Sequence, residues 1–332
     1  NEKKVLVLTK TVGVGRFLSL LTRTKQFKRG FLEISSIDGF ISNLARKIKL
    51  TINHPQKLED DEKRKHFDEY LPEICKKIFS EHEDKKFDML IIDEGQDFHQ
   101  NWYEALKTIV KPDGHMFFFY DPLQKQIANS MAETLNQNKD NYPFFSLTAN
   151  YRNSSTITTF LSKLIDKFYG NEKTNYSKLS KFDGKKPEFI AADSFDEIID
   201  KSKNKVLKLI NDEKFIGRDI AILSDQSMKP SNYDSTNSLR KNLEENSLEV
   251  ISAREYAMPY IRENYENRIT FDSIKRFKGL EKPIIILVNL DADIDSEEKM
   301  RDIYSGLSRA RGHLIIISNQ QSINYLKQLY AD

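Results

Sequence analysis

Two adjacent carboxylates follow a short apolar run in the first third of the chain. Met89–Ile92 passes directly into Asp93 and Glu94, and Gly95-Gln96-Asp97 comes next. The end of a parallel strand delivers side chains to the edge of the sheet where ligands bind. There, one carboxylate can hold Mg²⁺, usually through water, and the next can orient or deprotonate an attacking water for phosphoryl transfer. The alternative interpretation is that the pair simply begins a loop or caps a helix.

A second apolar run also ends in polar residues. Met116–Tyr120 is followed by Asp121 and, three residues later, by Gln124. The Gln124 amide is a candidate contact for a terminal phosphate or for its attacking water. Taken alone, the segment is more typical of an ordinary Asp-Pro turn.

Two arginines in the second half are candidates for phosphate contacts, because a guanidinium fork matches phosphate oxygens bidentately. Arg152 closes the tripeptide Asn150-Tyr151-Arg152, and Arg309 lies in Ser308-Arg309-Ala310-Arg311. We expect Arg309 to project from a helix as an arginine finger on a γ-phosphate. An isolated arginine is more often an ordinary surface residue.

A basic segment precedes one of the later apolar runs. Lys275 and Arg276 are followed by Gly279, which permits a tight turn, and by Glu281. The cations of this segment are candidates for phosphate contacts. The alternative is a charged turn that only introduces a strand.

The elements that must position these residues alternate along the chain. Runs rich in Ile, Val, Leu and Phe predict buried parallel strands at Val5–Thr9, Met89–Asp93, Met116–Tyr120, Ile220–Ser224, Ile284–Asn289 and Leu314–Ser318. Stretches of helical period predict helices at Trp102–Val110, Ile157–Phe168, Phe195–Ile210 and Ser238–Glu245. This alternation predicts an α/β fold with parallel sheets. The charge-rich residues of about 45–86 are interpreted as a short, solvated helical insertion.

Composition bounds the class of protein. The 332 residues carry 52 Lys+Arg against 50 Asp+Glu, so any nucleic-acid contact must be a local groove rather than an overall basic surface. The hydrophobic fraction of 39% is enough for packed cores. The single cysteine, Cys75, excludes an internal disulfide and fits a reducing, cytoplasmic location. No apolar run reaches the ~20 residues of a membrane span, so no membrane partner is expected.

The order and spacing of these motifs together resemble the UvrD/Rep-like superfamily 1 DNA helicases over nearly the whole chain. The matching segments are Val5–Thr11 (motif Ia), Ser35–Phe40 (Ib), Asp93–Asp97 (II), Asp121–Gln124 (III), Asn150–Arg152 (IV), Lys278–Glu281 (V) and Tyr304–Ala310 (VI).

The resemblance implies two RecA-like parallel-sheet domains of the P-loop NTPase type, residues 1–148 and 149–332, with ATP at their interface. It implies that Asp93 assists Mg²⁺, that Glu94 acts on the attacking water and that Gln124 senses the γ-phosphate. Further implied roles are phosphate contacts for Arg152 and Arg309, a contact on the ribose side of the nucleotide for Glu281, and nucleotide binding for Gly279. Single-stranded DNA is the implied partner.

Three departures from the family qualify these expectations. No glycine lies in a G-x-x-x-x-G-K-[ST] phosphate loop, so we expect the chain to be truncated before motif Ia and residues 1–332 alone not to turn over ATP. The first domain would then lack its phosphate-loop strand. Motifs Ia and III lack aromatic residues for base stacking, and Lys10, Lys125, Lys275 and Arg276 are the candidate electrostatic substitutes. The family's large insertion in the second domain is also missing.

The sequence therefore predicts the ATP-hydrolysing core of a DNA helicase or translocase. The alternative is a helicase-like module that binds nucleic acid or protein without hydrolysis. A third hypothesis places a nuclease or other effector domain upstream of the motor.

Overall fold

The computed structural model contains two compact units, Asn1–Phe144 and Phe145–Asp332. The sequence analysis places the boundary at residue 148. The residues that the structure describes are 2–10, 14–15, 18–19, 22, 30–53, 60–121, 124, 129–138, 140, 142–147, 149–169, 182–224, 241, 244–245, 248–256, 267–290, 294 and 296–331. Among them, no helix combines the length and the apolar character needed to cross a membrane.

The first unit contains a four-stranded sheet in which every pair of neighbours is parallel. Its strands are β1 (Lys4–Thr9), β2 (Phe31–Ser36), β3 (Phe87–Ile92) and β4 (Val110–Phe118), in the spatial order β2-β1-β3-β4. Leu6 and Leu8 of β1 and Leu90 and Ile92 of β3 are fully buried, which explains why these strands appear as apolar runs. The carboxyl ends of all four strands consequently lie at one edge of the sheet.

Helices accompany this sheet. They are α1 (Ile37–Lys47), α2 (Asp60–Lys65), a π-helical turn (His66–Tyr70), α3 (Leu71–Glu81), α4 (Asn101–Ile109) and α5 (Met131–Gln137), with single 3-10 turns at Glu83–Lys85 and Gly95–Asp97.

The interpretation of residues 45–86 as a solvated insertion is wrong for α3. Leu71, Cys75, Ile78 and Phe79 are buried and belong to the core of the first unit. The spacing of Leu71, Cys75 and Ile78 does predict this buried face, and the observed burial confirms Cys75 as a packing residue.

The second unit contains a six-stranded sheet, again parallel at every pair. Its strands are β5 (Glu188–Ala191), β6 (Ile220–Ser224), β7 (Glu249–Ile251), β8 (Arg268–Ser273), β9 (Lys282–Val288) and β10 (Ala310–Ser318), in the order β5-β10-β9-β6-β8-β7. Its helices are α6 (Ser155–Tyr169), α7 (Phe195–Asn211), α8 (Ala253–Tyr256), α9 (Ile274–Phe277), α10 (Glu297–Leu307) and α11 (Gln320–Ala331), with a 3-10 turn at Gly217–Asp219.

Two parallel sheets with helices in the connections confirm the predicted α/β fold class. Right-handed crossovers through helices are what parallel neighbours require, because a tight hairpin cannot join them. In the first unit the residues Asp93, Glu94, Asp121 and Gln124 accordingly follow the ends of β3 and β4.

Candidate functional site

The turn after β3 is tied to both neighbouring strands. The backbone N–H of Asp93 donates to the carbonyl of Leu8 in β1 at 3.0 Å, and the N–H of Gly95 donates to the carbonyl of Phe119, just after β4, at 2.8 Å. Between these anchors Glu94 adopts a left-handed conformation, with φ 54° and ψ 45°. A non-glycine residue pays roughly 1–2 kcal/mol for this backbone region, and such strain concentrates at functional sites.

A buried glutamine connects this turn to the one after β4. The side chain of Gln96 is fully buried, and its Nε2 donates to Oε2 of Glu94. Its Oε1 accepts a hydrogen bond from the backbone N–H of Asp121 at 3.0 Å. Nε2 of Gln124 in turn donates to Oδ2 of Asp121 at 2.8 Å. The structure therefore places the two predicted catalytic residues, Glu94 and Gln124, in one hydrogen-bonded network.

Gln96 is a site residue that the sequence analysis did not select. It lies inside the Asp-Glu-x-Gln-Asp segment that carries the resemblance to motif II, so the signal for it was present. Its importance follows from burial together with two polar contacts, neither of which the sequence alone shows.

The donors at this edge fit a hard divalent cation. Asp93, Glu94 and Asp121 offer carboxylate oxygens at the ends of two adjacent strands, and oxygen donors are those that Mg²⁺ prefers. In the described part of the chain, no three His, Cys, Asp or Glu side chains form a cage for a metal. This arrangement suits Mg²⁺ that arrives with phosphates, because such an ion takes one or two protein carboxylates and keeps several waters.

Lys10 follows β1 and packs within the first unit. Its Nζ lies 3.0 Å from the centroid of the Phe67 ring and 5.8 Å from that of Phe98. Burial lowers the pKa of Lys10 from 10.5 to about 8, against the opposing attraction of Asp68 and Asp97. Its predicted role as a nucleic-acid contact therefore competes with its observed packing against Phe67 and, at a longer distance, Phe98.

Three predicted motifs of the second unit meet around one carboxylate. Nε of Arg152 lies 2.9 Å from Oε2 of Glu281, and Nε of Arg311 lies 3.6 Å from its Oε1. Gly279, with φ 83°, makes the turn that brings Glu281 to the start of β9. The three charged side chains are 40–55% exposed, which leaves them accessible to an anionic ligand. Arg311 was not selected from the sequence, although it is the second arginine of the Ser-Arg-Ala-Arg segment.

The loop that carries Arg152 is fixed by two asparagines. Oδ1 of Asn150 accepts the backbone N–H groups of Arg152 and Asn153 at 3.0 and 3.1 Å. Nδ2 of the buried Asn153 donates to the carbonyls of Ser308 and Ala310 at 2.8 and 2.6 Å. The Asn-Tyr-Arg-Asn turn is thereby joined to the segment before β10.

Arg309 does not project outward as predicted. Helix α10 ends at Leu307, and the Arg309 side chain is 1% exposed, with its Nε donating to the carbonyl of Ser305 at 3.0 Å. Its carbonyl accepts the N–H of Lys282 at 3.1 Å. Arg309 lies in the two residues between the end of α10 and the start of β10, and not on the helix as predicted. A contact of Arg309 with phosphate stays a prediction.

The remaining predicted cations lie after β8 in the short helix α9. Lys275 and Arg276 are 62% and 71% exposed, and they form ion pairs with Asp302 at 3.2 Å and with Asp272 at 3.8 Å. Burial raises the pKa of Asp272 even though its carboxylate accepts backbone N–H groups. The predicted contact Lys125 lies outside the described residues.

Comparisons with known proteins give resemblances to solved structures but no match in sequence. No family model matches the sequence, and no curated protein matches it either. A solved structure described as the C-terminal domain of a possible DNA helicase from Lactobacillus plantarum superposes with a TM-score of 0.36 and 19% identity. The match covers 52% of this chain and 88% of that one. A superposition of this size carries no argument about function, so the proposal below rests on the residues and geometry of this chain.

Proposed function

We propose that this chain is the motor core of a superfamily 1, UvrD-like DNA helicase or translocase, which couples ATP hydrolysis to movement on single-stranded DNA. The observation that carries the proposal is the network at the carboxyl edge of the first sheet. Glu94 and Gln124, which follow two adjacent strands, are joined through Gln96 and Asp121. An acid and an amide held together at this edge are the groups that position and activate water for phosphoryl transfer.

Each residue of the network has a distinct task in this proposal. The carboxylate of Glu94 accepts a hydrogen bond from the attacking water and then its proton. The Gln124 amide donates toward the terminal phosphate oxygens. Asp93 is the residue that would hold Mg²⁺, which supplies neutralisation of phosphate charge when it is bound.

The second unit contributes cations in the proposal. Arg152 and Arg311 share one partner, Glu281, and stay largely exposed, so a phosphate can compete with that carboxylate for their guanidinium groups. The exposed Lys275 and Arg276 supply charge for a nucleic-acid backbone. Aromatic platforms are not needed for such backbone contacts.

A second candidate is a helicase-like module that binds without hydrolysis. One observation favours it: the candidate arginine finger, Arg309, is buried. The proposed motor and the module differ in one measurable property, which is Mg²⁺-dependent turnover of ATP.

The test is ATP turnover by the full-length natural protein with single-stranded DNA present. Glu94→Gln keeps the size and hydrogen bonding of the side chain but removes its basicity, so we expect kcat to fall by roughly 10²–10⁴-fold. The matched control is Glu104→Gln on the exposed face of α4, which should leave kcat unchanged. A full-length protein without Mg²⁺-dependent turnover contradicts the motor and supports the non-hydrolysing module.

A further inference from the structure

We propose that Gln96 is a positioning residue that sets the orientation of the Glu94 carboxylate and couples it to the turn that bears Gln124. This inference rests on the proposed ATP hydrolysis. It adds how the turn that bears Glu94 and the turn that bears Gln124 are held in a fixed position relative to each other.

The chemistry of the two contacts leaves one orientation for the Gln96 amide. A carboxylate only accepts hydrogen bonds, so the group that faces Glu94 must be the NH₂. The backbone N–H of Asp121 only donates, so the group that faces it must be the carbonyl oxygen. Only a side-chain amide of this length satisfies both neighbours at once.

Full burial makes these two contacts consequential. Gln96 has no exposed surface, so water cannot replace either hydrogen bond without a rearrangement. The carboxylate of Glu94 is therefore held by a donor that solvent cannot readily replace.

The backbone of Gln96 is fixed independently of its side chain. The N–H of Asp97 donates to the carbonyl of Glu94 at 2.9 Å, which closes the 3-10 turn, and Gly95 is anchored to Phe119. Variants of the Gln96 side chain should therefore keep the turn, and their effects should come from the lost amide contacts.

The network also predicts coupling between ligand sensing and the base. Nε2 of Gln124 donates to the carboxylate of Asp121, and the backbone N–H of Asp121 donates to Oε1 of Gln96. A phosphate that breaks the hydrogen bond between Gln124 and Asp121 thus moves Asp121 and, with it, the Gln96 oxygen that accepts the Asp121 N–H. Because the NH₂ of the same amide donates to Glu94, the movement reaches the Glu94 carboxylate.

Hydrogen exchange on residues 1–332 tests the geometry without any need for turnover. In Gln96→Leu the Asp121 amide loses its acceptor and should exchange about tenfold faster. In Gln96→Met, whose side chain has a similar length and no acceptor oxygen, the amide should exchange faster by a similar factor. Gln137→Leu, at the exposed end of α5, is the matched control and should match the wild type. Unchanged exchange in Gln96→Leu overturns the proposed contact.

Kinetics on the full-length protein test the role. Gln96→Leu and Gln96→Met both lose the donor to Glu94, so both should lower kcat about 10²-fold while KM for ATP stays within about threefold. Gln96→Met keeps the length of the side chain, so it serves as the test if Gln96→Leu fails to fold.

The outcomes are separable from those that test the proposed function. If Glu94→Gln abolishes turnover and neither Gln96 variant lowers kcat, the positioning role is overturned and the proposed function stands. A rise in KM with unchanged kcat also overturns it, because Gln96 would then act in binding. If the full-length protein has no turnover, or Glu94→Gln has no effect, the proposed function falls and this inference falls with it.

Discussion

In the wild type, the first unit should become more stable as the pH rises above 8. Replacement of Lys10 by methionine should remove this increase. The ammonium of Lys10 lies over Phe67 and near Phe98, and burial lowers its pKa from 10.5 to about 8. Between these two values the unfolded chain binds more protons at this residue than the folded chain does. Stability therefore increases with pH across the window from 8 to 10.5.

The size of the effect follows from the pKa shift. A shift from 10.5 to about 8 corresponds to a limiting gain of about 3 kcal/mol above pH 10.5, at 1.36 kcal/mol per unit. At pH 9.5 the linkage relation gives about 2 kcal/mol more stability than at pH 7 from this group. Methionine has a similar length and no titrating proton, so this contribution disappears in Lys10→Met.

Trp102 makes the assay specific to the first unit. It is the only tryptophan of the chain, it is fully buried, and its ring packs against Phe67 and Phe98. Urea unfolding followed by its fluorescence at pH 7 and 9.5 gives the two free energies for wild type and variant. Subtraction cancels groups common to both, such as Cys75. The control Lys107→Met, on the exposed face of α4, should behave like the wild type. Equal pH dependence in wild type and Lys10→Met would refute the reasoning.

Three further measurements address packing and charge elsewhere. Burial raises the pKa of Glu188, but hydrogen bonds with Lys205 and His313 outweigh it and the net pKa is lowered, so this carboxylate stabilises the fold above its unfolded pKa of 4.5. Glu188→Gln should therefore destabilise the second unit at pH 7 and much less at pH 3, and an equal loss at both pH values in circular-dichroism melts argues against the ion pair. Asn153→Ala strands two buried carbonyls and should lower the free energy of unfolding by about 2–4 kcal/mol in urea titrations; a loss below ~0.5 kcal/mol contradicts the assigned contacts. Burial raises the pKa of Cys75 to about 12, so its thiol should react with a disulfide reagent only in denaturant, and rapid labelling of native protein would show that α3 is not packed as described.

The fold class could be predicted from the sequence because the central strands are continuous apolar runs. Residues Ile220–Ser224 of β6 are all buried, and the predicted and observed limits agree. Strand β2 was not predicted, because it contains Glu33 and two serines and is only partly buried. Strands β5, β7 and β8 were missed for related reasons: two are very short, and the buried face of β8 includes Thr270 and Asp272. Their stability comes from pairing within the sheet, which no local pattern displays.

The site was predictable as a set of motifs but not as a set of contacts. Glu94 and Gln124 could be named because acids and amides at strand ends have a chemical meaning. Their connection through Gln96 depends on the register of β3 against β4 and on a left-handed backbone at Glu94, neither of which the sequence displays. The predicted outward projection of Arg309 was wrong because a motif gives the residue type but not the burial of its side chain.

The central claim is that the acidic edge of the first sheet hydrolyses ATP in a reaction coupled to a nucleic-acid strand. The most direct measurement is phosphate release from Mg²⁺-ATP by the full-length natural protein, titrated with single-stranded oligonucleotide at fixed ionic strength. We predict that turnover rises at least about tenfold and reaches a plateau as the protein becomes saturated with the strand. Glu94→Gln should abolish this turnover. Absence of turnover at every strand concentration, or turnover that neither the strand nor Glu94→Gln changes, would contradict it.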